Sequence, residues 1–264
     1  MALLEVNNLT IRFGGIVAVD DLSFTVEEGS ITALIGPNGA GKTTAFNCLT
    51  GFYKAIGGQV IYKGESLLRL RPYRITSKGI IRTFQNVRLF KNMSVMENVM
   101  SGVHRMGKQF VGGALLRHPV QRREEAEFRC IAEECLEFIG ILDKKDKVAK
   151  NLSYGDQRRV EWARALASKP KMLLLDEPAA GLNREEKNNL MQLIRRFRNE
   201  LGMTIFLIEH DMGLVMEVSE KVIVINFGKK IAEGSPKEIQ ANPLVIGAYL
   251  GDDNDVGEEK VSLA

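Results

Sequence analysis

Two kinds of hydrophobic pattern divide the chain. Near the start, apolar and polar residues alternate through residues 6–13, 22–26 and 60–62, the last set after the turn at Gly57 and Gly58. This alternation is typical of antiparallel strands with one exposed face. Three short runs are instead apolar throughout, as in strands covered on both faces, and glycine or polar residues follow each of them. These runs are Ile31–Ile35, Met172–Leu175 and Ile205–Ile208. With helical segments between them, they predict a parallel sheet that binds ligands at its carboxyl edge.

Helical periodicity replaces the strand pattern from about residue 93 to residue 150. Apolar residues there recur every three or four positions in a charged background, which predicts an inserted helical subdomain at about residues 88–158. The recurring residues are Phe128, Ile131, Ala132, Cys135, Leu136 and Ile139. At its start, within residues 88–98, Phe90 and Met93 are expected to be exposed apolar residues, which need a partner to cover them.

The remaining segments complete one expected domain over residues 3–250. Residues 185–200 predict an amphipathic helix, and the apolar stretches on either side of residues 226–228 predict a hairpin. The last segment, residues 251–264, is acidic and nearly free of bulky apolar side chains. It is therefore expected to be a disordered tail.

Composition and charge exclude several classes of function. The chain has 264 residues, 45% of them hydrophobic, and a formal net charge of +3. That mild, scattered positive charge gives no reason to expect a nucleic-acid partner. The odd cysteine count (Cys48, Cys130 and Cys135) lacks metal-ligand spacing and indicates reduced, buried thiols. No signal segment and no apolar run of about 18 residues occur, so we expect any membrane role to come through a partner.

A phosphate-binding pattern follows the first unbroken apolar run. The stretch Gly36 to Thr43 matches G-x-x-x-x-G-K-[ST] and lies between a predicted strand and a predicted helix, as that pattern requires. Its glycines let backbone amides surround a polyphosphate, Lys42 supplies a positive charge and Thr43 a hydroxyl for Mg2+. The predicted nucleotide-binding residues here are Gly36, Pro37, Asn38, Gly39, Ala40, Gly41, Lys42, Thr43 and Thr44.

Two carboxylates follow the second apolar run. We expect Asp176 to hold Mg2+, through water, and Glu177 to act as the general base that activates the attacking water. On their own, two acidic residues before Pro178 are also consistent with an ordinary turn at a strand end. Beside a phosphate loop they favour hydrolysis of ATP.

Five motifs together resemble the ATP-binding subunits of ABC transporters, over about residues 3–250. Besides the phosphate loop and the acidic pair, Leu152–Arg159 resembles the family's signature, Gln85 its Q-loop glutamine and His210 its switch histidine. The likeness is greatest to the LivG-type branch, which takes up branched-chain amino acids. Three stretches carry that likeness: Arg12–Gly15, Phe46–Lys54 and Arg82–Phe90.

The resemblance implies a fold and a set of roles. The fold is α/β: a P-loop NTPase (RecA-like) core with a parallel sheet, an N-terminal antiparallel β subdomain and an inserted helical subdomain. Phe13 would stack on adenine, and Gln85 would contact Mg2+ or water. His210 would face the terminal phosphate. Ser153 and Gly155 would meet the ATP of a second subunit, so that two chains enclose two nucleotides. Taken alone, Phe13 also suits a core position, Ser153 an ordinary helix cap, His210 a structural role and Gln85 a solvated loop.

The chain also departs from the family pattern. Tyr154 and Asp156 replace a glycine and a glutamine of the signature, and Asn183 replaces an aspartate after the acidic pair. A carboxylate at Asp156 is expected to weaken the two-chain sandwich slightly by repulsion.

The resulting functional expectation is an ATPase subunit of an importer for branched-chain or other hydrophobic amino acids, with Mg2+ and ATP. Its partners would be a second ATPase subunit, identical or not, multispanning permease subunits and, indirectly, a periplasmic or extracellular binding protein. The chain would lie on the cytoplasmic face of the membrane. The alternative is a nucleotide-gated scaffold of the same fold, as in iron-sulfur assembly. Chromosome and repair ATPases fit less well, because they carry long coiled coils between the two phosphate motifs and this chain has only a modest insert there. Translation-factor relatives also fit less well, because they carry two cassettes per chain and this chain has one.

Overall fold

The computed structural model of the chain describes residues 1–103 and 119–254. The chain divides into two compact units, the first formed by residues 1–78 and those from 172 onward, the second by residues 79–171. The strands are β1 (Ala2–Phe13), β2 (Ile16–Glu27), β3 (Ile31–Ile35), β4 (Gly57–Tyr62), β5 (Glu65–Ser66), β6 (Ile80–Arg82), β7 (Met172–Asp176), β8 (Thr204–Ile208), β9 (Lys221–Asn226) and β10 (Lys229–Gly234). The α-helices are α1 (Lys42–Leu49), α2 (Pro72–Ser77), α3 (Val95–Val103), α4 (Pro119–Ile139), α5 (Tyr154–Ala167), α6 (Arg184–Asn199), α7 (Met212–Val218), α8 (Pro236–Gln240) and α9 (Pro243–Asn254).

An antiparallel sheet forms one layer of the first unit, with strand order β2-β1-β4-β5. Val6 of β1 lies opposite Phe24 of β2 and Val60 of β4. The alternating apolar residues Val6, Leu9 and Ile11 are completely buried. The predicted antiparallel subdomain is therefore confirmed.

A second sheet of the first unit contains β10-β9-β3-β8-β7 in that order. Strand β3 runs parallel to β8 and β9, and β8 runs parallel to β7, whereas β10 is antiparallel to β9. Every residue of β3, β7 and β8 is buried, as the unbroken apolar runs predict. Because parallel strands end at the same edge, the residues that follow these three strands are brought to one edge of the sheet.

The second unit is mainly helical in its described part. Helices α3, α4 and α5 contact one another, and their apolar faces are buried, with Val99, Ala132, Leu136 and Val160 at 0% exposure. Buried Asn98 fixes the loop before α3. Its side-chain oxygen accepts the Phe90 amide at 2.9 Å, while its side-chain nitrogen donates to the carbonyls of Phe90 at 3.1 Å and Ser94 at 2.9 Å.

Several expectations differ from the structure. The sequence of the signature region predicts a helix from about Gln157 to Ala167, but helix α5 begins at Tyr154, because Ser153 caps it. Helix α9 runs to Asn254, four residues into the expected tail, and the rest of that tail, residues 255–264, lies outside the described residues. Within the two described ranges, no helix is both long and apolar enough to span a membrane.

The exposure of two side chains differs from the expectation. Cys130 is exposed, so the prediction that all three thiols are buried is wrong for this residue, which lies on the charged face of α4. Cys48 and Cys135 are buried, and burial raises their pKa values to about 11 and about 12. Met93 is half-buried rather than exposed, and its carbonyl accepts the Ala149 amide at 2.9 Å.

Candidate functional site

The phosphate loop joins β3 to α1, and close backbone contacts explain its first and last glycines. At Gly36, with φ +155°, an added Cβ would lie 2.0 Å from the carbonyl oxygen of Ile225. At Gly41, with φ +100°, it would lie 2.4 Å from the carbonyl oxygen of Ala18. Any other residue would force these neighbours apart. The loop is therefore held against β9 and β2, with its amides available at the start of α1.

Lys42 points back into this loop. Its ammonium donates to the carbonyl oxygens of Gly36 at 2.7 Å and Pro37 at 2.8 Å. Burial lowers the pKa of Lys42, and the negative charge of Glu177 partly opposes this effect. The buried ammonium thus lies within electrostatic reach of the predicted base. Thr43, in the first turn of α1, is exposed, and Thr44 is half-buried.

The acidic pair lies at the end of β7, as predicted. Asp176 is the last residue of the strand and is buried, whereas Glu177 is half-buried. The backbone of Glu177 adopts a left-handed conformation with φ +47°, and its amide donates to the Ile208 carbonyl at 2.9 Å. A non-glycine residue in this region is uncommon and is concentrated at functional sites.

His210 follows β8 and lies beside the base. Its Nδ1 is 3.8 Å from Oε2 of Glu177 and 3.8 Å from Oε2 of Glu209, and its side chain is 60% exposed. An exposed imidazole at this edge can reach a bound ligand. The structure therefore brings Lys42, Asp176, Glu177 and His210 to the same carboxyl edge in the first unit.

Glu209 is a site residue that sequence reasoning missed. It is completely buried, and its carboxylate accepts the backbone amides of Ala179 at 2.7 Å, His210 at 3.0 Å and Asp211 at 3.2 Å. The available signal was its position: like Asp176, it is an acidic residue next to the end of an unbroken apolar strand.

Phe13 lies at the end of β1, where the sequence suggests an adenine-stacking or a core residue. It is exposed, and its ring meets that of Tyr53 edge to face, with centroids 5.0 Å apart and planes at 76°. The exposure argues against a core position and suits an aromatic platform. Tyr53, on the loop after α1, had no predicted role.

The C-terminal helix α9 also reaches the phosphate loop. The hydroxyl of Tyr249 is buried and makes no hydrogen bond to the described residues. Burial raises the pKa of Tyr249 to about 12, and the nearby backbone amide of Gly36 partly opposes this rise. No pattern around Tyr249 predicts this proximity.

In the second unit, Gln85 and the signature helix are joined through a buried arginine. Gln85 is exposed on the loop after β6. The guanidinium of Arg158 is buried and donates to the carbonyls of Phe84 at 3.3 Å and Gln85 at 3.0 Å, and to the Tyr154 hydroxyl at 2.7 Å. Arg158 was part of the signature motif but had no predicted role of its own.

Ser153 caps the signature helix α5. Its hydroxyl oxygen accepts the Asp156 amide at 3.3 Å. The Asp156 carboxylate is itself paired with the Lys144 ammonium at 2.6 Å. Burial raises the pKa of Asp156, but hydrogen bonds from Lys144 and Ser153 and nearby positive charge lower it overall. The carboxylate is thus compensated within its own unit, which reduces the repulsion expected from the sequence. Gly155 lies in the first turn of this helix.

Asn183 has a clear structural role. It caps α6 in a reciprocal arrangement, in which its side chain accepts the Glu186 amide at 2.9 Å and the Glu186 carboxylate accepts the Asn183 amide at 2.9 Å. Asparagine and aspartate cap helices about equally well, so this departure from the family pattern preserves the helix start.

Two family models match the chain. One describes ABC transporters and matches residues 19–180, and the other describes branched-chain amino acid ATP-binding cassette transporters and matches residues 229–255. The second match covers β10, α8 and α9, and thus includes Tyr249.

Curated relatives and solved structures agree with these models. The high-affinity branched-chain amino acid transport ATP-binding protein BraF of Pseudomonas aeruginosa is 48% identical over 95% of this chain and 98% of that protein. The corresponding LivG of Escherichia coli K12 is also 48% identical, with the same shares covered. A crystal structure of the ADP conformation of MJ1267, an ATP-binding cassette of an ABC transporter, is 30% identical, with a TM-score of 0.82 over 95% of this chain and 99% of that chain.

Proposed function

We propose that this chain, which belongs to the ABC transporter family of ATP-binding proteins, hydrolyses ATP to drive an importer of branched-chain amino acids. The observation that carries the proposal is the group formed by Lys42, Asp176, Glu177 and His210 at one sheet edge. The substrate class is supported by the match over residues 229–255 and by relatives named for branched-chain amino acid transport. We further propose that residues 3–250 act as one ATPase domain with the helical insert at about 88–158.

Binding of ATP would begin with an exchange of partners at Lys42. Its ammonium now donates to two loop carbonyls, and phosphate oxygens would take over these hydrogen bonds. The exposed residues Asn38 and Gly39 and the first turn of α1 would offer backbone amides to the same polyphosphate. Phe13, with Tyr53 at its edge, would stack on the adenine.

The residues at this edge suit Mg2+ brought in with ATP. Thr43 offers an exposed hydroxyl and Asp176 a carboxylate, both oxygen donors of the kind Mg2+ prefers. Among the described residues, no group of three histidine, cysteine, aspartate or glutamate side chains could hold a metal on its own. This is consistent with a metal that needs phosphate oxygens and water to complete its shell. The metal would neutralise charge on the phosphates.

Hydrolysis would be carried by Glu177 and His210. Glu177 would accept a proton from the attacking water as that water approaches the terminal phosphate. The neighbouring imidazole of His210, 3.8 Å from this carboxylate, would donate to the phosphate. Both side chains belong to the first unit, so this pair can form without the second.

The signature helix would complete the nucleotide site of a second ATPase subunit. The amide-rich start of α5, with Ser153 and Gly155, would bind the terminal phosphate of the opposite chain. Arg158 would link this helix start to the Gln85 loop.

Replacing Ser153 by arginine is expected to prevent ATP-dependent dimerisation while leaving ATP binding to one chain nearly unchanged. The bulky side chain would fill the space where the partner's phosphate approaches α5. The measurement is size-exclusion chromatography with ATP and Mg2+ in the Glu177→Gln background, in which bound ATP should persist. The control is Ser235→Ala, which removes the cap of α8, where Ser235 accepts the Glu238 amide at 3.4 Å. A Ser153→Arg variant that still dimerises would show that Ser153 is only a helix cap.

A permease would bind to the second unit on the cytoplasmic face of the membrane, and a periplasmic or extracellular protein would deliver the amino acid. Phe90 supports this surface because it is 54% exposed on a loop that Asn98 holds rigidly. In the proposed importer, the permease would cover this side chain.

Uptake by the reconstituted importer tests the function. When the chain is reconstituted with its permease subunits, proteoliposomes should accumulate leucine, isoleucine and valine only when ATP is supplied. Phe90→Asp is expected to reduce uptake by about tenfold or more, as for an interface anchor, while ATP hydrolysis by the isolated chain stays within about twofold. Leu201→Asp, at another exposed apolar residue, is the matched control. Uptake of unrelated solutes in preference to these amino acids would contradict the substrate assignment.

A further inference from the structure

Glu209 receives an unusual concentration of backbone donors. Its side chain is completely buried, and three amides point at its two oxygens. Oε1 accepts from Ala179 at 2.7 Å, and Oε2 accepts from His210 at 3.0 Å and from Asp211 at 3.2 Å. A buried carboxylate is tolerated when several hydrogen bonds favour its charged form. The two oxygens therefore hold two different segments.

The first segment contains the proposed base. Residues 177–179 are held at both ends by the end of β8, since the Glu177 amide donates to Ile208 and the Ala179 amide to Glu209. Between these two bonds, Glu177 keeps its left-handed backbone, with φ +47°. Such a conformation persists only where the surroundings hold it. Glu209 thus supports the backbone that aims the Glu177 carboxylate.

The second segment contains His210 and the start of α7. The bond from the His210 amide fixes the backbone from which the imidazole extends. Asp211 then caps α7 by accepting the Leu214 amide at 3.1 Å and pairs with Lys187 of α6 at 2.5 Å. One carboxylate therefore sets the positions of both groups that lie 3.8 Å apart at the site.

We propose that Glu209 is a positioning residue that holds Glu177 and His210 in register for hydrolysis. The inference rests on the proposed function and deepens it, because it states how the base and the histidine are kept together. Glutamine is the informative replacement. It has the same shape, but its NH2 group must face an N–H donor on one side, so that either the Ala179 bond or the bonds to His210 and Asp211 are lost.

Glu209→Gln is expected to lower kcat by about 10-fold to 100-fold, since misplacement of reacting groups by about 1 Å has effects of this size. The KM for ATP should change by less than about threefold, because the hydrogen bonds of Glu209 in the described part of the chain go to Ala179, His210 and Asp211 and not to the phosphate loop. The matched control is Thr204→Val at the opposite end of β8, where the buried hydroxyl accepts the Gly29 amide at 2.9 Å. This variant also loses a buried hydrogen bond and should lower Tm, but it should leave kcat within about twofold. Equal losses of kcat in the two variants would overturn the proposal.

Hydrogen–deuterium exchange tests the positioning without relying on activity. In Glu209→Gln, amide exchange should accelerate in peptides spanning residues 176–183 or 208–214, whereas Thr204→Val should leave both at the wild-type rate. Unchanged exchange in both peptides of Glu209→Gln would overturn the inference, as would faster exchange with an unchanged kcat. If Glu209→Gln does not fold, Glu209→Asp, which keeps the charge but shortens its reach, takes its place in both measurements. A wild-type chain that does not hydrolyse ATP would instead refute the proposed function, while the exchange data would still report on Glu209.

Discussion

Glu177→Gln is expected to slow ATP hydrolysis by about 100-fold or more while ATP still binds. Glutamine keeps the shape of the side chain but cannot accept the proton of the attacking water. The two hydrogen bonds that Lys42 donates within the phosphate loop, to Gly36 and Pro37, do not involve the substituted side chain and should be kept. Phosphate release under saturating ATP and Mg2+ measures the loss, and titration with a fluorescent ATP analogue measures the binding.

The control for this change is Glu185→Gln, which also removes one carboxylate from the segment after β7. Glu185 is exposed in the first turn of α6 and has no place in the proposed site. Its turnover should remain within about twofold of the wild-type rate. If Glu177→Gln hydrolyses ATP as fast as Glu185→Gln does, Glu177 is not the base and another group must activate the water.

The parts of the fold that were predicted are those written in local sequence. Alternation along residues 6–13 reflects a strand with one covered face, and the unbroken run of residues 31–35 reflects a strand covered on both. The phosphate loop is equally local, because its glycines and Lys42 lie within eight successive positions. Once three parallel strands were predicted, the meeting of their carboxyl ends followed from sheet geometry.

The residues that were missed act through partners distant in sequence. Glu209 and Arg158 are charged, and charged side chains are usually expected at the surface. Their burial depends on backbone groups up to 74 positions away that no local pattern reveals. The same reason applies to Asp156. The repulsion expected from its carboxylate could not be judged without knowledge that this carboxylate pairs with Lys144.

Small errors in the predicted helix start and in the predicted exposure of a loop residue have a related cause. Helix α5 starts at Tyr154, earlier than the predicted start at about Gln157, because Ser153 accepts the Asp156 amide. Met93 counts as an apolar loop residue in the sequence, yet its side chain is half-buried in a loop whose backbone pairs with residue 149. Such long-range pairings decide exposure after the elements themselves are set.

Lys42→Ala is expected to abolish measurable ATP turnover and to weaken ATP binding by about 10-fold to 100-fold, as for the loss of a hydrogen bond to a charged group. The ammonium is the charged group of the loop that would pair with the terminal phosphates. It also satisfies two carbonyls of the loop, so the free energy of unfolding should fall by about 1–3 kcal/mol. Isothermal titration with ATP and Mg2+ measures the affinity, and thermal unfolding without nucleotide measures the stability.

Two further variants separate the charge of Lys42 from its geometry. Lys42→Arg keeps a positive charge, but a planar guanidinium is bulkier than an ammonium and presents its donors in a fixed fork. Within a loop closed by Ile225 and Ala18, it should restore little turnover even where some affinity returns. Lys237→Ala removes one exposed lysine from α8 and should leave affinity and turnover within about twofold, which excludes an effect of net charge alone. ATP affinity and hydrolysis that survive in Lys42→Ala would mean that residues 36–43 do not bind the phosphates, and the proposed site would have to be abandoned.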